Sequence, residues 1–189
     1  MSLPWELTRG RWAERQRYWR SADAEVIRAH RSRLDALLRD PHRNATAAES
    51  FRARTQVEQA GRVCRMASEL LRTRHAELNV VTATEQITIA SADGVLASRP
   101  REAGWCENVV AEGSLAVHDG SRHPMVAHTE AAHAGQVVCY LGAQVVVAGQ
   151  PVGALCVYDN GPRDWSPADA HRLGELAQVI SDSTPRGPR

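Results

Sequence analysis

Two apolar runs on either side of Gly149-Gln150 give the clearest hydrophobic pattern in this chain. Both runs are rich in β-branched residues, and the short glycine-containing connection predicts a β-hairpin. Alternate positions of the first run form one wholly apolar face: Val137, Cys139, Leu141, Ala143, Val145 and Val147. Its opposite face carries Tyr140 and Gln144 among small and apolar residues, so both faces are predicted to be buried. The two polar side chains either meet a ligand or form hydrogen bonds within the core.

The first third of the chain has the helical period instead. Ser21 is a suitable N-cap for a helix that ends near Asp40, since Pro41 cannot continue it. A second helix is predicted over 45–74. It carries a seam with alternating spacings of three and four: Val57, Ala60, Cys64, Ala67 and Leu71. A seam of this kind suits close helix packing, and we expect a homodimer built on it.

Three tryptophans precede these helices at seven-residue spacing. A helix places Trp5, Trp12 and Trp19 on one stripe within an arginine-rich segment. Such a stripe either docks on the chain's own domain or forms an arm for self-association or a protein partner, because Trp and Arg are common interface anchors. Residues 1–44 are therefore predicted to be an Arg/Trp-rich helical extension.

The rest of the chain contains short strands and one well-marked helix. Residues 78–82 and 86–90 predict a hairpin, and residues 115–117 predict a further strand. Ser166 opens the last helix, with a proline after it and a carboxylate three positions on. This order is not βαβ alternation. It predicts an α+β fold, with an antiparallel sheet and helices on one face.

These segments resemble the GAF domain family. The similar residues are the paired runs 142–147 and 149–159, the approach to the last helix at 162–169, and a middle segment. That middle segment holds Trp105-Cys106, residues 113–119 and His123-Pro124. The resemblance implies a GAF/PAS-like central antiparallel β-sheet, with N- and C-terminal helices packed on one face. A pocket covered by loops is implied on the other face.

The resemblance spans roughly residues 45–183, which we take as the GAF-like domain, followed by a disordered tail at 184–189. It implies a non-catalytic sensory or regulatory domain that binds a small molecule or senses redox state and signals through dimer or partner contacts. The alternatives are a purely structural interaction module, a haem-binding gas or redox sensor, and a redox enzyme like the free methionine sulfoxide reductases of GAF fold.

The predicted ligand-binding residues lie in and beside the long segment 105–136. Imidazoles and a carboxylate recur there, and GAF topology would bring them close to the strand of the two polar residues named first. The set is His118, Asp119, His128, His133, Tyr140 and Gln144. The five-residue spacing of the histidines does not align them on a helix face, so no metal site is predicted. Under the haem alternative, the resemblance makes His133 the ligand.

Four cysteines are spread along the chain without a CxxC spacing. Cys106 begins a predicted helix, where the dipole favours a thiolate, and with Cys139 it is a redox candidate. A Gly149-Gln150 loop would put Ala143 opposite Cys156, with Cys139 about 13 Å further along the same face, too far for a disulfide. All four are expected to be free thiols, and Cys156 a core residue.

Composition and charge narrow the functional classes. Lysine is absent, which excludes a Schiff-base lysine and a P-loop lysine. The net charge is +1, and no apolar run reaches the length of a membrane span, so neither a nucleic-acid nor a membrane partner is expected. Without a secretory signal pattern, we expect a cytoplasmic location.

Overall fold

The computed structural model describes residues 9–184, which form a six-stranded antiparallel sheet and seven α-helices. The strands are β1 His75–Val81, β2 Glu85–Ser91, β3 Ser98–Pro100, β4 Ser114–Val117, β5 Cys139–Val147 and β6 Gln150–Asp159, in the spatial order β3-β2-β1-β6-β5-β4. The helices are α1 Arg9–Arg20, α2 Ala24–Leu38, α3 Pro41–Glu49, α4 Arg54–Leu71, α5 Cys106–Glu112, α6 Glu130–His133 and α7 Pro167–Ser183. The predicted α+β class and antiparallel sheet are confirmed.

One face of the sheet is covered by α4 and α7. The central strands contribute their alternate apolar positions to this core, as predicted from β5. The predicted α4 seam also lies there: Ala60, Cys64, Ala67 and Leu71 are at most 1% exposed, and Val57 packs against them. The seam therefore packs inside the chain and is not available for dimer contacts. A homodimer stays a prediction, without this seam as its support.

The opposite face of the sheet is covered by α5 and by the N-terminal extension. Leu34 and Leu38 of α2 are buried in a second core with Val109 and Tyr140, and α2 contacts α5. Trp19 is buried in this second core, whereas Trp12 packs against the first. Both tryptophans thus dock on the chain's own domain. Trp5 lies outside the described residues, as does most of the predicted 184–189 tail.

Two predicted helix boundaries are wrong. The 45–74 helix is divided into α3 and α4, because Phe51 takes a left-handed backbone conformation (φ 61°) that ends the first helix while its ring is buried in the core. The N-cap of α2 is Asp23, whose carboxylate accepts from the amides of Glu25 and Val26. Ser21 instead donates its hydroxyl back to α1 carbonyl oxygens.

The β5–β6 hairpin forms, but its register differs from the prediction. The loop is Ala148-Gly149, both with positive φ, and an irregularity after Val145 shifts the pairing so that Gly142 is opposite Cys156. Cys139 consequently lies on the α4–α7 face and Cys156 on the other. A bond between them is excluded by opposite faces rather than by distance along one face.

A buried arginine on α3 connects the N-terminal extension to the sheet by hydrogen bonds. Arg43 is fully buried, and its guanidinium donates to the carbonyl oxygens of Pro151 (2.9 Å) and Val81 and to the Asn44 side chain (2.9 Å). Those two backbone carbonyls belong to β6 and β1. Arg43 therefore ties the N-terminal extension to the two central strands.

Close approach of these two strands requires glycine at position 153. A Cβ placed on Gly153 would lie 2.0 Å from the backbone oxygen of Asn79 on β1. No side chain can occupy that space without moving the strand backbone. The close approach brings Asn79 and Cys156 within hydrogen-bond reach, which matters for the buried site described below.

Candidate functional site

The face opposite α4 and α7 contains a cleft between the N-terminal extension and the rest of the fold. The cleft has a volume of about 590 Å³ and is lined by α2, by residues 100–108 and by residues 125–130. Its apolar wall consists of Ile27, Leu34 and Met125. Its polar residues include two arginines and several carboxylates, so the cleft offers both signs of charge to a small molecule.

Arg101 is the central cation of this cleft. The residue is only 8% exposed, and its guanidinium lies 2.5 Å from Asp35, 3.2 Å from Glu102 and 3.5 Å from Glu107. Only the Asp35 contact is aligned as a hydrogen bond, so Nε and Nη1 are buried without a hydrogen-bond partner. Unpaired donors of this kind cost free energy unless a ligand or water accepts from them.

Glu107 faces Arg101 from the first turn of α5. Burial raises the pKa of its carboxyl from an ordinary 4.5 to about 7, although Arg101 acts in the opposite direction. Its Oε2 is buried and has no hydrogen-bond partner. Oε2 and Arg101 Nη1 are an ion pair 3.5 Å apart without an aligned hydrogen bond, so the cleft presents an acceptor and a donor whose hydrogen-bonding capacity is not used by the pair. Sequence reasoning missed both residues, because nothing in their local pattern distinguishes them from surface charges.

The other side of the cleft is formed by histidines and a second arginine. His30 is buried, with Nδ1 3.0 Å from Glu112 and Nε2 2.9 Å from Asn108, and so joins α2 to α5. The guanidinium of Arg31 lies 2.6 Å from Nε2 of His128. Burial and the charge of Arg31 lower the pKa of His128, so this imidazole is neutral at physiological pH.

A second, smaller space lies beneath Trp105, between α5 and the sheet. It is a cavity of about 30 Å³ bordered by Trp105, Cys106, Tyr140 and Cys156. Cys106 and Cys156 are each 1% exposed, and their sulfurs are 4.0 Å apart. The Tyr140 hydroxyl donates to Cys106 Sγ at 3.3 Å, and Asn79 Nδ2 lies 3.5 Å from Cys156 Sγ. Sequence reasoning selected Cys106 but took Cys156 for an ordinary core residue.

The predicted ligand-binding residues are distributed over several places. His128 lines the cleft and Tyr140 borders the cavity. Gln144 donates to the Val110 carbonyl of α5 at 2.7 Å, which fits the alternative that it bonds within the core. Their role in ligand binding stays a prediction.

The remaining predicted residues contact neither space. His118 Nδ1 lies 3.1 Å from both the Arg163 carbonyl and Asp164, in the segment before α7. Asp119 caps a short turn by accepting from Ser121. His133 is exposed on α6, and its Nδ1 lies 2.9 Å from the Thr129 carbonyl oxygen. It lines neither the cleft nor the cavity.

The other two cysteines lie apart from the pair. Cys139 is fully buried on the α4–α7 face, and burial raises the pKa of its thiol. Burial also raises the pKa of Cys64 to about 12. Within residues 9–184 all four cysteines are free thiols, and no three His, Cys, Asp or Glu side chains are grouped so that they could hold a metal ion. None of the helices described is long and apolar enough to cross a bilayer.

Comparison with known proteins agrees with this architecture. The model of the GAF domain family matches residues 55–183. A search of curated proteins found no significant match. Among solved structures, the chain is similar to a free methionine-R-sulfoxide reductase from Neisseria meningitidis in complex with its substrate. The TM-score is 0.56 at 20% identity, covering 86% of this chain and 91% of that one.

Two GAF domain structures have similar scores. The GAF domain of Acinetobacter phosphoenolpyruvate-protein phosphotransferase has a TM-score of 0.56 at 15% identity, covering 82% of this chain and 91% of that one. The blue-light absorbing form of the Thermosynechococcus elongatus PixJ GAF domain has a TM-score of 0.50 at 18% identity, with coverages of 68% and 86%. At these identities the likeness extends to the fold alone.

Proposed function

The chain belongs to the GAF domain family, and we propose that it is a non-catalytic sensory or regulatory domain that binds a small polar molecule in the α2 cleft. Binding there would be transmitted through the N-terminal extension, because α2 forms one wall and the sheet domain forms the other. The homodimer and partner roles of the extension belong to this proposal as the means of output.

One observation carries the proposal. Arg101 and Glu107 form an ion pair at 3.5 Å in a cleft large enough for a small molecule, and the paired atoms, Nη1 and Oε2, are buried without an aligned hydrogen bond, as is Nε of Arg101. Buried polar groups in native proteins are almost always hydrogen-bonded, so buried charged groups that lack aligned hydrogen bonds beside a cleft are a reason to look for a ligand.

The same groups indicate the chemistry of the ligand. Arg101 and Arg31 can donate to a carboxylate, whereas Glu107 can accept from an ammonium or amide group. The wall of Ile27, Leu34 and Met125 suits an aliphatic or aromatic portion. A zwitterion with an apolar side chain, such as a free amino acid, satisfies all three requirements. Screening should therefore start from free amino acids and their close derivatives.

We expect a member of such a panel to raise the free energy of unfolding by roughly 2.7 kcal/mol at a concentration 100 times its dissociation constant. Arg31→Ala should weaken binding, because it removes an exposed guanidinium from the cleft. Arg33→Ala is the matched control, with the same charge change on the same helix at an exposed position that does not line the cleft. Melting curves and calorimetric titration measure both effects.

Two results would contradict this proposal. The first is a panel in which no compound stabilises the protein. The second is a stabilising compound whose affinity is lowered as much by Arg33→Ala as by Arg31→Ala. Hydrogen exchange of α2 provides the readout of output, since a ligand held between α2 and α5 should slow exchange in both helices.

A GAF-fold redox enzyme is the second candidate, and the Cys106–Cys156 pair is the observation that favours it. The adjoining cavity of about 30 Å³ accommodates one or two water-sized molecules. Free methionine sulfoxide, the substrate class of one structural neighbour, is much larger. We therefore expect no conversion of free methionine sulfoxide to methionine when the reduced protein and a thiol reductant are supplied. Turnover that Cys106→Ala abolishes would favour the enzyme instead.

A further inference from the structure

The cavity beneath Trp105 holds two thiols that the proposed ligand site does not use. Cys106 comes from α5 and Cys156 from β6, and their sulfurs are 4.0 Å apart. A disulfide requires about 2.05 Å, so a change of side-chain rotamer and a small approach of α5 to the sheet would join them. Cys64 and Cys139 belong to the core on the other face of the sheet.

Each of the two sulfurs has a hydrogen-bond donor directed at it, which a pair of cysteines that only fills the core does not need. Tyr140 donates its hydroxyl to Cys106 Sγ, and burial keeps the pKa of that hydroxyl well above its ordinary value, so it remains a donor. Asn79 presents its amide to Cys156 Sγ at 3.5 Å. Donors directed at sulfur stabilise a thiolate or the leaving oxygen of an oxidised sulfur.

The cavity selects what can reach these sulfurs. At about 30 Å³ it holds one or two water-sized molecules, and it is bordered by both cysteines. Hydrogen peroxide has two heavy atoms and fits this size, whereas an organic hydroperoxide with a branched carbon chain does not.

From these three observations we infer that Cys106 and Cys156 form a dithiol site that reacts with hydrogen peroxide and closes to a reversible disulfide. Cys106 is assigned as the attacking sulfur. The contact with Cys106, together with burial, raises the pKa of Cys156 well above its ordinary value, so Cys156 is held as the resolving thiol.

The reaction balances without any further reactant. The Cys106 thiolate attacks one peroxide oxygen, the O–O bond breaks and an S–O bond forms; the departing hydroxide takes up the thiol proton as water. The Cys156 sulfur then attacks the sulfenic sulfur of Cys106, the S–O bond breaks and the S–S bond forms, with release of a second water. Two thiols lose two electrons, and one peroxide is reduced to two waters. A thiol reductant restores the pair.

The test uses the whole reduced protein and hydrogen peroxide, followed by acid quenching, alkylation and peptide mass mapping. We expect the loss of two hydrogen atoms from the intact mass, a crosslinked peptide joining Cys106 and Cys156, and full alkylation of Cys64 and Cys139. The latter two are equally buried and serve as internal controls, because global unfolding would expose all four cysteines alike. The mapping needs no variant, so it does not depend on a mutant that folds.

Two comparisons sharpen the result. A branched organic hydroperoxide should form the bridge more slowly than hydrogen peroxide by at least an order of magnitude, because it does not fit the cavity. Tyr140→Phe should slow bridge formation while leaving alkylation of the unfolded chain unchanged. Oxidation spread over all four cysteines, equal rates with both peroxides, or no bridge at all would each overturn the inference.

Discussion

Replacing Arg43 with methionine is expected to lower the free energy of unfolding by about 2–4 kcal/mol. Arg43 is fully buried, and its guanidinium satisfies the carbonyl oxygens of Pro151 and Val81. Methionine has a similar length but no donor, so the buried Val81 carbonyl and the half-buried Pro151 carbonyl would both lose the donor that Arg43 supplies. Each unpaired group costs about 1–3 kcal/mol.

An opposing effect limits the loss. Burial lowers the pKa of Arg43 from 12.5 to about 10, which means that the fold penalises the charged form that is present at neutral pH. Methionine would remove this penalty together with the hydrogen bonds. Losing two backbone partners on two different strands outweighs that gain, because the Arg43 fork is the link between α3 and the strand ends.

Urea denaturation of the wild type, Arg43→Met and Arg43→Lys measures the balance. Lysine keeps the charge but has no planar fork, so its stability should fall between the other two. Arg39→Met is the control, since it removes an exposed arginine four residues earlier and should change stability by less than about 0.5 kcal/mol. A wild-type level of stability in Arg43→Met would contradict this expectation, because it would show that the buried charge costs as much as its hydrogen bonds contribute.

The elements predicted best from sequence are those with a local chemical signature. The helix that Ser166 begins has the expected capping box, in which Ser166 and Asp169 exchange hydrogen bonds, and its residues Leu173, Ala177 and Ile180 are in the core. The two hairpins were visible because β-branched runs end at glycine or polar turns. In each case the determining interaction lies within a few residues of the pattern that predicts it.

The predictions that failed depend on interactions distant in sequence. The seam on α4 has the spacing of a dimer interface, but a sheet that contains residues some 90 positions later covers it. The hairpin register moved by one residue because the loop is Ala148-Gly149 instead of Gly149-Gln150 and because of an irregularity after Val145 that no turn rule predicts. That single shift decides which cysteine faces Tyr140.

The candidate site was only partly predictable for the same reason. Tyr140 and Cys106 could be selected from strand alternation and from a helix start, but their contact with Cys156 requires the β5–β6 register. Arg101 and Glu107 carry no periodic signal, and what makes them unusual is burial by α2, which lies more than 60 residues earlier in the chain. Chemistry at a site formed by three distant segments is visible only after folding.

The free energy of unfolding is expected to contain two large pH-dependent contributions that oppose each other, from Glu107 and His123. Glu107 has a folded-state pKa raised from 4.5 to about 7, so it favours the fold below pH 4.5 and loses that stability as pH rises to about 7. His123 is 4% exposed with both ring nitrogens unpartnered, and burial lowers its pKa from 6.5 to about 4. Its contribution is present above pH 6.5 and is lost as pH falls to about 4.

Each shift corresponds to roughly 3 kcal/mol, at 1.36 kcal/mol per pKa unit. Between pH 4.5 and 6.5 the two contributions change in opposite directions, so the wild type should show a nearly flat stability profile there. Each of the two residues has other charged or titratable groups nearby. Those near Glu107 are Arg101, Glu102, Asp35 and Arg31, and those near His123 are His118 and Arg20. Asp35 and Asp93 have lowered pKa values and titrate below this window.

Single variants should separate the two contributions. In Glu107→Gln the contribution of His123 remains and the lowered pKa of His128 acts in the same direction, so the free energy of unfolding should fall by at least roughly 3 kcal/mol as pH decreases from 7 to 4. In His123→Leu the larger remaining contribution is that of Glu107, which His128 opposes only in part, so stability should rise from pH 7 to 4.5. His123→Leu should also be more stable than the wild type at pH 7, because it removes two buried polar atoms that have no partner.

Urea midpoints measured at half-unit steps of pH for the wild type, both single variants and the double variant complete the cycle. The double variant should depend on pH less than either single variant, which distinguishes cancellation in the wild type from the simple absence of titration in this window. If the single variants are as flat as the wild type, neither group is perturbed as its burial requires. In that case the unpartnered atoms of Glu107 and His123 would have to be hydrogen-bonded to water in solution.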